Sequence, residues 1–259
     1  MLENIETGYE GKYDFPPYAR APEVAYLLAS VPRAGSTYFS HVLWRTGCLG
    51  APLEYLNFDP AGPYFFAAKS PDAQLNLWRS VLKRRTSPNG AFGLKAFPPQ
   101  LQALHSTNPQ LLAEVLAAVL PQGAPRHVVY LRRRDRVAQT VSYARAAMSG
   151  IWRKEQEQGG AAALDYSQEA LEAAERGIAF QEQLWEQMLR DLGVEPLRMW
   201  HEDVLAAPAA AVRQAADYLG VALDPAAEVD IPSILEQSRG DAATWSERYR
   251  QVREPSAEG

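Results

Sequence analysis

Val24-Ala25-Tyr26-Leu27-Leu28-Ala29-Ser30-Val31-Pro32-Arg33-Ala34-Gly35-Ser36-Thr37 carries a strand, a turn and the start of a helix in fourteen residues. Val24–Ser30 is an apolar run of strand length, Pro32 and Gly35 mark a turn, and from Ser36 onward Phe39, Val42 and Leu43 recur at the i, i+3, i+4 spacing of a helix. A strand that turns directly into a helix leaves unpaired backbone N–H groups and the positive end of the helix dipole at the junction. Both attract anions. The turn is therefore a candidate phosphate loop. Gly35 lets a ligand approach the backbone beside Ala34, Arg33 offers a fork of donors, and Ser36 and Thr37 add hydroxyls. The same residues also read as a capped turn with a surface arginine, because Ser and Thr are favoured N-caps for purely local reasons. No Gly-x-x-x-x-Gly-Lys-Ser/Thr pattern occurs, so the Lys and the Mg2+ ligand of a nucleoside-triphosphate enzyme are missing and Arg33 points to a metal-free donor.

Outward from this stretch the pattern repeats. Ala91–Ala96 reads as a second strand before Pro98-Pro99, residues 110–120 as a helix between Pro109 and Pro121, and residues 127–131 as a third strand. A helix runs from Asp135 to about Met148. Residues 149–166 read as a mobile loop, polar and Gly-containing as far as 163, of the kind that forms lids. Residues 167–192 form the longest helix, with Leu171, Ala174, Ile178, Trp185, Met188 and Leu189 on one core stripe and Gly193 as its stop. Residues 196–200 make a last strand and 208–219 a helix ending at Gly220, while the tail from Asp224 shows no clear period. The fold class is α/β: one domain over residues 1–259, a central parallel sheet flanked by helices. No internal repeat is present.

The chain's 259 residues, 47% hydrophobic and 22% charged, suffice for one sizeable core. No apolar run has the length of a membrane span, and Met1 to Glu10 lacks the basic-then-apolar layout of a signal peptide, so a cytoplasmic protein is expected. Cys48 is the only cysteine and only four histidines are present, which excludes an intramolecular disulfide and leaves no closed metal-ligand set. A net charge of -5 argues against nucleic acid as a partner, whose binding is driven by dense positive charge.

Positive charge is nevertheless concentrated once. Arg132-Arg133-Arg134-Asp135-Arg136 follows the third strand directly. In an open α/β sheet ligands sit beyond the carboxyl ends of the strands, so this cluster and the turn after Ser30 are expected to face one molecule. Two anion sites suit a nucleotide with phosphates at both ends. Asp135 reads as the N-cap of the next helix, which puts Ser142 two turns along it, about 10 Å of rise from the cap. Arginines that merely solvate a strand end or pair with surface carboxylates are the ordinary alternative.

At these residues the chain resembles the sulfotransferases that use 3'-phosphoadenosine-5'-phosphosulfate (PAPS), and within them the bacterial trehalose 2-sulfotransferase type. The likeness is carried by Pro32-Arg33-Ala34-Gly35-Ser36-Thr37, by Thr46-Gly47-Cys48-Leu49-Gly50-Ala51-Pro52-Leu53-Glu54-Tyr55, by Phe92-Gly93-Leu94-Lys95, and by residues 131–145 with Gly150-Ile151-Trp152. The resemblance implies a P-loop-like architecture in which the first turn holds the 5'-phosphosulfate and Arg133 or Arg134, with Ser142, holds the 3'-phosphate. It implies Glu54 as the general base, drawing the proton from an acceptor hydroxyl, with Arg33 and the loop N–H groups stabilising charge on the leaving phosphate. Sulfuryl transfer carries less negative charge than phosphoryl transfer, so fixed donors suffice without a metal. Arg239, in Arg239-Gly240-Asp241 near Trp245, resembles part of a nucleotide-covering segment within residues 225–259. A homodimer is implied as well.

His41, one turn into the first helix, is the rival base, and it reads equally as a packing residue. Lys95 either supports the phosphosulfate or is a strand-end lysine whose ammonium reaches solvent. Glu202-Asp203 reads as a cap for the helix that follows. The acceptor is expected to be a carbohydrate or glycolipid hydroxyl, with Tyr38, Tyr55 and Trp152, and also Phe58, as apolar floors for sugar faces, although such aromatics also serve as core. Ala96-Phe97-Pro98-Pro99, where Met-Trp is usual after the strand lysine, and Tyr38-Phe39, where aliphatic residues are usual, depart from the family pattern. Two other classes share these features: a Mg2+-dependent small-molecule kinase of related plan, and a non-catalytic nucleotide- or RNA-binding module built on residues 132–136.

Overall fold

In the computed structural model, residues 6–60, 62–152, 164–233 and 241–253 are described. The expected strand-turn-helix is present as β1 (Val24–Ser30) and α1 (Ser36–Arg45). It is followed by α2 (Pro71–Arg85), β2 (Ala91–Ala96), α3 (Pro98–Thr107), α4 (Pro109–Val119), β3 (His127–Arg132) and α5 (Arg136–Ser149). Then come α6 (Gln168–Leu192), β4 (Leu197–Trp200), α7 (His201–Ala206), α8 (Pro208–Leu219) and α9 (Ala242–Arg253). Local chemistry sets many boundaries. Ser70, Asn108, Asp135 and Ser167 accept from N–H groups of the first turns of α2, α4, α5 and α6, prolines open α2, α3, α4 and α8, and Gly150, Gly193 and Gly220 end α5, α6 and α8.

The sheet has four parallel strands in the order β2-β1-β3-β4 among the described residues. Alternation along each strand divides its side chains between two cores. Leu27, Ala29, Phe92, Leu94, Val128 and Tyr130 pack on one face with α2, α4 and α6, and Tyr26, Leu28, Val129 and Leu131 pack on the other with α1 and α8. The fold class read from the sequence is the one observed.

The tail corrects the reading of an aperiodic segment. α9 is polar over most of its surface and docks through Trp245 and Tyr249, one turn apart, onto Val141, Ala144, Leu171 and Ala174 of α5 and α6. Two aromatics on a charged helix leave little periodic signal. The expected lid falls mostly on residues 153–163, and Arg239 on residues 234–240. Both stretches lie outside the described residues.

Candidate active site

The sheet order reverses at β1. The chain crosses first to β2 on one side and later to β3 on the other, and pairing of Ser30 with Leu131 sets the carboxyl ends of β1 and β3 side by side. That reversal is the ligand-binding crevice of open α/β sheets. In the turn, Arg33 has φ 67°, alone among non-glycine residues in the described chain, and Gly35 has φ 79°. Gly35 is the N-cap of α1 and has no side chain to cap it, so among the described residues no cap hydrogen bond takes up the first N–H groups of this helix. A Cβ at Gly35 would lie 2.0 Å from Nδ1 of His201, so both conformation and space demand glycine here. Burial, and then Arg133, push the His201 imidazole below its usual pKa, which keeps it neutral at pH 7.

The two expected anion sites adjoin. Arg33 Nε donates to Ser142 Oγ at 2.8 Å and its Nη1 to the Trp152 carbonyl at 2.9 Å, while Arg133 Nη1 donates to the Arg33 carbonyl at 3.3 Å. Burial, with Arg133 nearby, pulls Arg33 down to about 10, so it remains cationic at neutral pH. The rest of the cluster turns elsewhere. Arg132 and Arg136 both pair with Glu182 of α6, and Arg134 makes a fork with Asp203 at 2.6 and 2.7 Å on the exposed side. Of the two arginines expected beside Ser142, Arg133 therefore faces the turn and Arg134 faces Asp203. Glu202 and Asp203 are corrected. They lie in the first turn of α7, where Glu202 accepts from the N–H groups of Arg134 and Asp135, while Ala207 and Pro208 open α8.

Glu54 is delivered by strand pairing that no local signal announces. After α1 the chain runs along the outer edge of β2, where Leu53 bridges Leu94 and its carbonyl accepts from Lys95 N at 3.1 Å. Glu54 consequently meets the Lys95 side chain, Oε1 to Nζ at 2.9 Å, and Lys95 Nζ also donates to Thr37 Oγ1 at 3.0 Å. Its other oxygen, Oε2, accepts from Gln100 Nε2 at 3.1 Å and from Asn57 Nδ2 at 3.3 Å. Both carboxylate oxygens are thus engaged by donors. Lys95 is fully buried, so its ammonium reaches Thr37 and Glu54 rather than solvent.

The remaining residues divide. Trp152 is 38% exposed, edge-on to Tyr143, and stands beside Arg33. Tyr55 is corrected to a core residue: it is buried among Tyr9, Tyr64 and Phe92, with its hydroxyl donating to the Ala51 carbonyl. Tyr38 and Phe58 pack against the two cores. His41 is buried edge-on to Trp44, with Nδ1 at 3.2 Å from the Pro232 carbonyl. Sequence reading missed Asn57, Gln100, Gln139 and His201. The signal for Gln100 was present, because it is the third residue of a Pro-opened helix and its Oε1 accepts from Phe97 N at 3.0 Å.

Among the described residues no group of three or more His, Cys, Asp or Glu side chains could hold a metal ion, and no helix is long and apolar enough to cross a membrane. The chain is 26% identical over 253 residues to a trehalose 2-sulfotransferase of Mycobacterium tuberculosis, covering 87% of this chain and 94% of that protein. It is 24% identical over 258 residues to a trehalose 2-sulfotransferase of Mycolicibacterium smegmatis, with the same coverage of 87% and 94%. The sulfotransferase domain of the Synechococcus PCC 7002 olefin synthase superposes with a TM-score of 0.41 at 14% identity, covering 91% of this chain and 98% of that one. The model of the Stf0 sulphotransferase family matches residues 25–252, from the first strand to the last helix, and the chain belongs to that family.

Proposed function

We propose that the protein transfers a sulfuryl group from PAPS to a hydroxyl of a carbohydrate or glycolipid, with Glu54 as general base. The observation that carries this reading is the continuous link Thr37–Lys95–Glu54, which joins the turn after β1 to a carboxylate. Trehalose 2-sulfotransferases among the relatives support a sugar acceptor. Glu54 takes the acceptor's proton as its oxygen bonds to sulfur, and the bond from sulfur to the 5'-phosphate oxygen breaks with its electron pair leaving on that phosphate. Arg33, with the N–H groups around Ala34, Gly35, Ser36 and Thr37, balances the charge on the departing 3'-phosphoadenosine-5'-phosphate. Arg133 and Ser142 hold the 3'-phosphate beside the turn, and Trp152 contributes to the acceptor side.

Calorimetric titration of the metal-free protein with 3'-phosphoadenosine-5'-phosphate, beside 5'-AMP and ATP, tests the donor. Tight binding that requires the 3'-phosphate is expected. Preference for ATP with Mg2+ would replace this reading by the kinase.

A further inference from the structure

The last carbonyl of β1 and two carbonyls of the turn that follows it are taken by donors outside the turn. Trp185 Nε1 donates to the Ser30 carbonyl at 2.7 Å, Gln139 Nε2 to the Pro32 carbonyl at 3.1 Å, and Arg133 Nη1 to the Arg33 carbonyl at 3.3 Å. A carbonyl turned toward a bound phosphate repels it, and because each peptide is planar, fixing a carbonyl fixes the N–H of the next residue on the opposite side. The Pro32–Arg33 peptide is the critical plane. Its rotation changes φ of Arg33, which stands at 67°, a value that strains any residue with a Cβ. Flipping that plane would relieve the strain and bring the Pro32 carbonyl toward the ligand.

Gln139 is fully buried, and its amide is oriented without ambiguity. Arg136 Nη1, which has only hydrogens to offer, lies 3.4 Å from Gln139 Oε1, so the carbonyl end faces Arg136 and the NH2 end faces Pro32. Arg136 is itself anchored on Glu182 of α6. A relay thus runs from Glu182 of α6 through Arg136 and Gln139 of α5 to the Pro32–Arg33 peptide.

We propose that Gln139 is a positioning residue that latches the Pro32–Arg33 peptide, holding the turn in the conformation that binds the 5' end of the donor. This rests on the donor assignment made above. The test is displacement calorimetry with 3'-phosphoadenosine-5'-phosphate, 5'-AMP and 3'-AMP on wild type and Gln139→Met, which keeps volume and removes the donor. Affinity for the first two is expected to fall about tenfold, the scale of one lost hydrogen bond, while 3'-AMP stays within about twofold. Equal losses for all three ligands, or no loss, would overturn the latch. Arg136→Met keeps the test decisive if Gln139→Met does not fold. Among the described residues it reaches the turn through Gln139, it is expected to weaken the same two ligands about threefold, and wild-type affinity there would also overturn the latch. A wild-type protein that binds none of the ligands would overturn the donor assignment and the latch together, whereas wild-type binding with unchanged variants overturns the latch alone.

Discussion

Glu54 accepts from Lys95 on one oxygen and from Gln100 and Asn57 on the other, so Gln in its place keeps the size of the side chain and loses the charge. Glu54→Gln is expected to lower kcat about 10²- to 10⁴-fold with little change in affinity for 3'-phosphoadenosine-5'-phosphate. Steady-state sulfuryl transfer measures this, and unchanged turnover would remove Glu54 from the mechanism. Arg33 separates two roles at one position. Both Arg33→Ala and Arg33→Gly are expected to lose nucleotide binding, but glycine accepts φ 67° freely, so Arg33→Gly should be more stable than Arg33→Ala by about 1 kcal/mol in denaturant unfolding.

Elements are joined at the site by short polar contacts. The start of α7 is tied to the start of α5 because Glu202 accepts from the N–H groups of Arg134 and Asp135 at 3.1 Å. Partial burial raises the Glu202 pKa, but those backbone donors outweigh it and hold the carboxyl below 4.5. A folded-state value below the unfolded one means that the unfolded chain binds the proton more readily. The stabilisation is therefore present above pH 4.5 and lost as pH falls through the folded-state value. Glu202→Gln is expected to be less stable at pH 7 and to show a flatter loss of stability below pH 4.5, measured by thermal melts across a pH series. Identical pH profiles would show that the contact adds nothing to folding.

Across the whole molecule the sheet is the common support, since β1 lies between β2 and β3 and its side chains enter both cores. Leu28 of β1 is fully buried, and Leu28→Ala is expected to cost about 2–5 kcal/mol in denaturant unfolding. A cost below about 1 kcal/mol would mean that the site collapses around the smaller side chain. The positive charge at the turn comes from Arg33, Arg133 and buried Lys95, all fixed side chains. Chelation by EDTA is accordingly expected to leave the transfer rate unchanged, and a loss restored by Mg2+ would contradict the metal-free donor.

Many elements have causes within a turn of themselves, although α2 and α3, opened by Ser70 and by prolines, went unread. The apolar run before Pro32, the capping residues Asp135 and Ser167 and the stop glycines Gly193 and Gly220 each act within a turn of themselves, and the strands and helices they delimit were legible. α9 was not, because a helix whose large buried apolar side chains are Trp245 and Tyr249 carries almost no period. The turn and the density of positive charge after β3 could be read for the same local reason. Which arginine faces the turn follows from packing, since Arg132, Arg133, Arg134 and Arg136 differ in the partners that α6, α7 and the turn itself bring to them. Glu54 meets Lys95 through a bridge between Leu53 and Leu94, and Gln139 meets Pro32 across more than a hundred residues. Such contacts depend on strand register and helix packing, which are set by the whole core and leave no mark at the residues themselves.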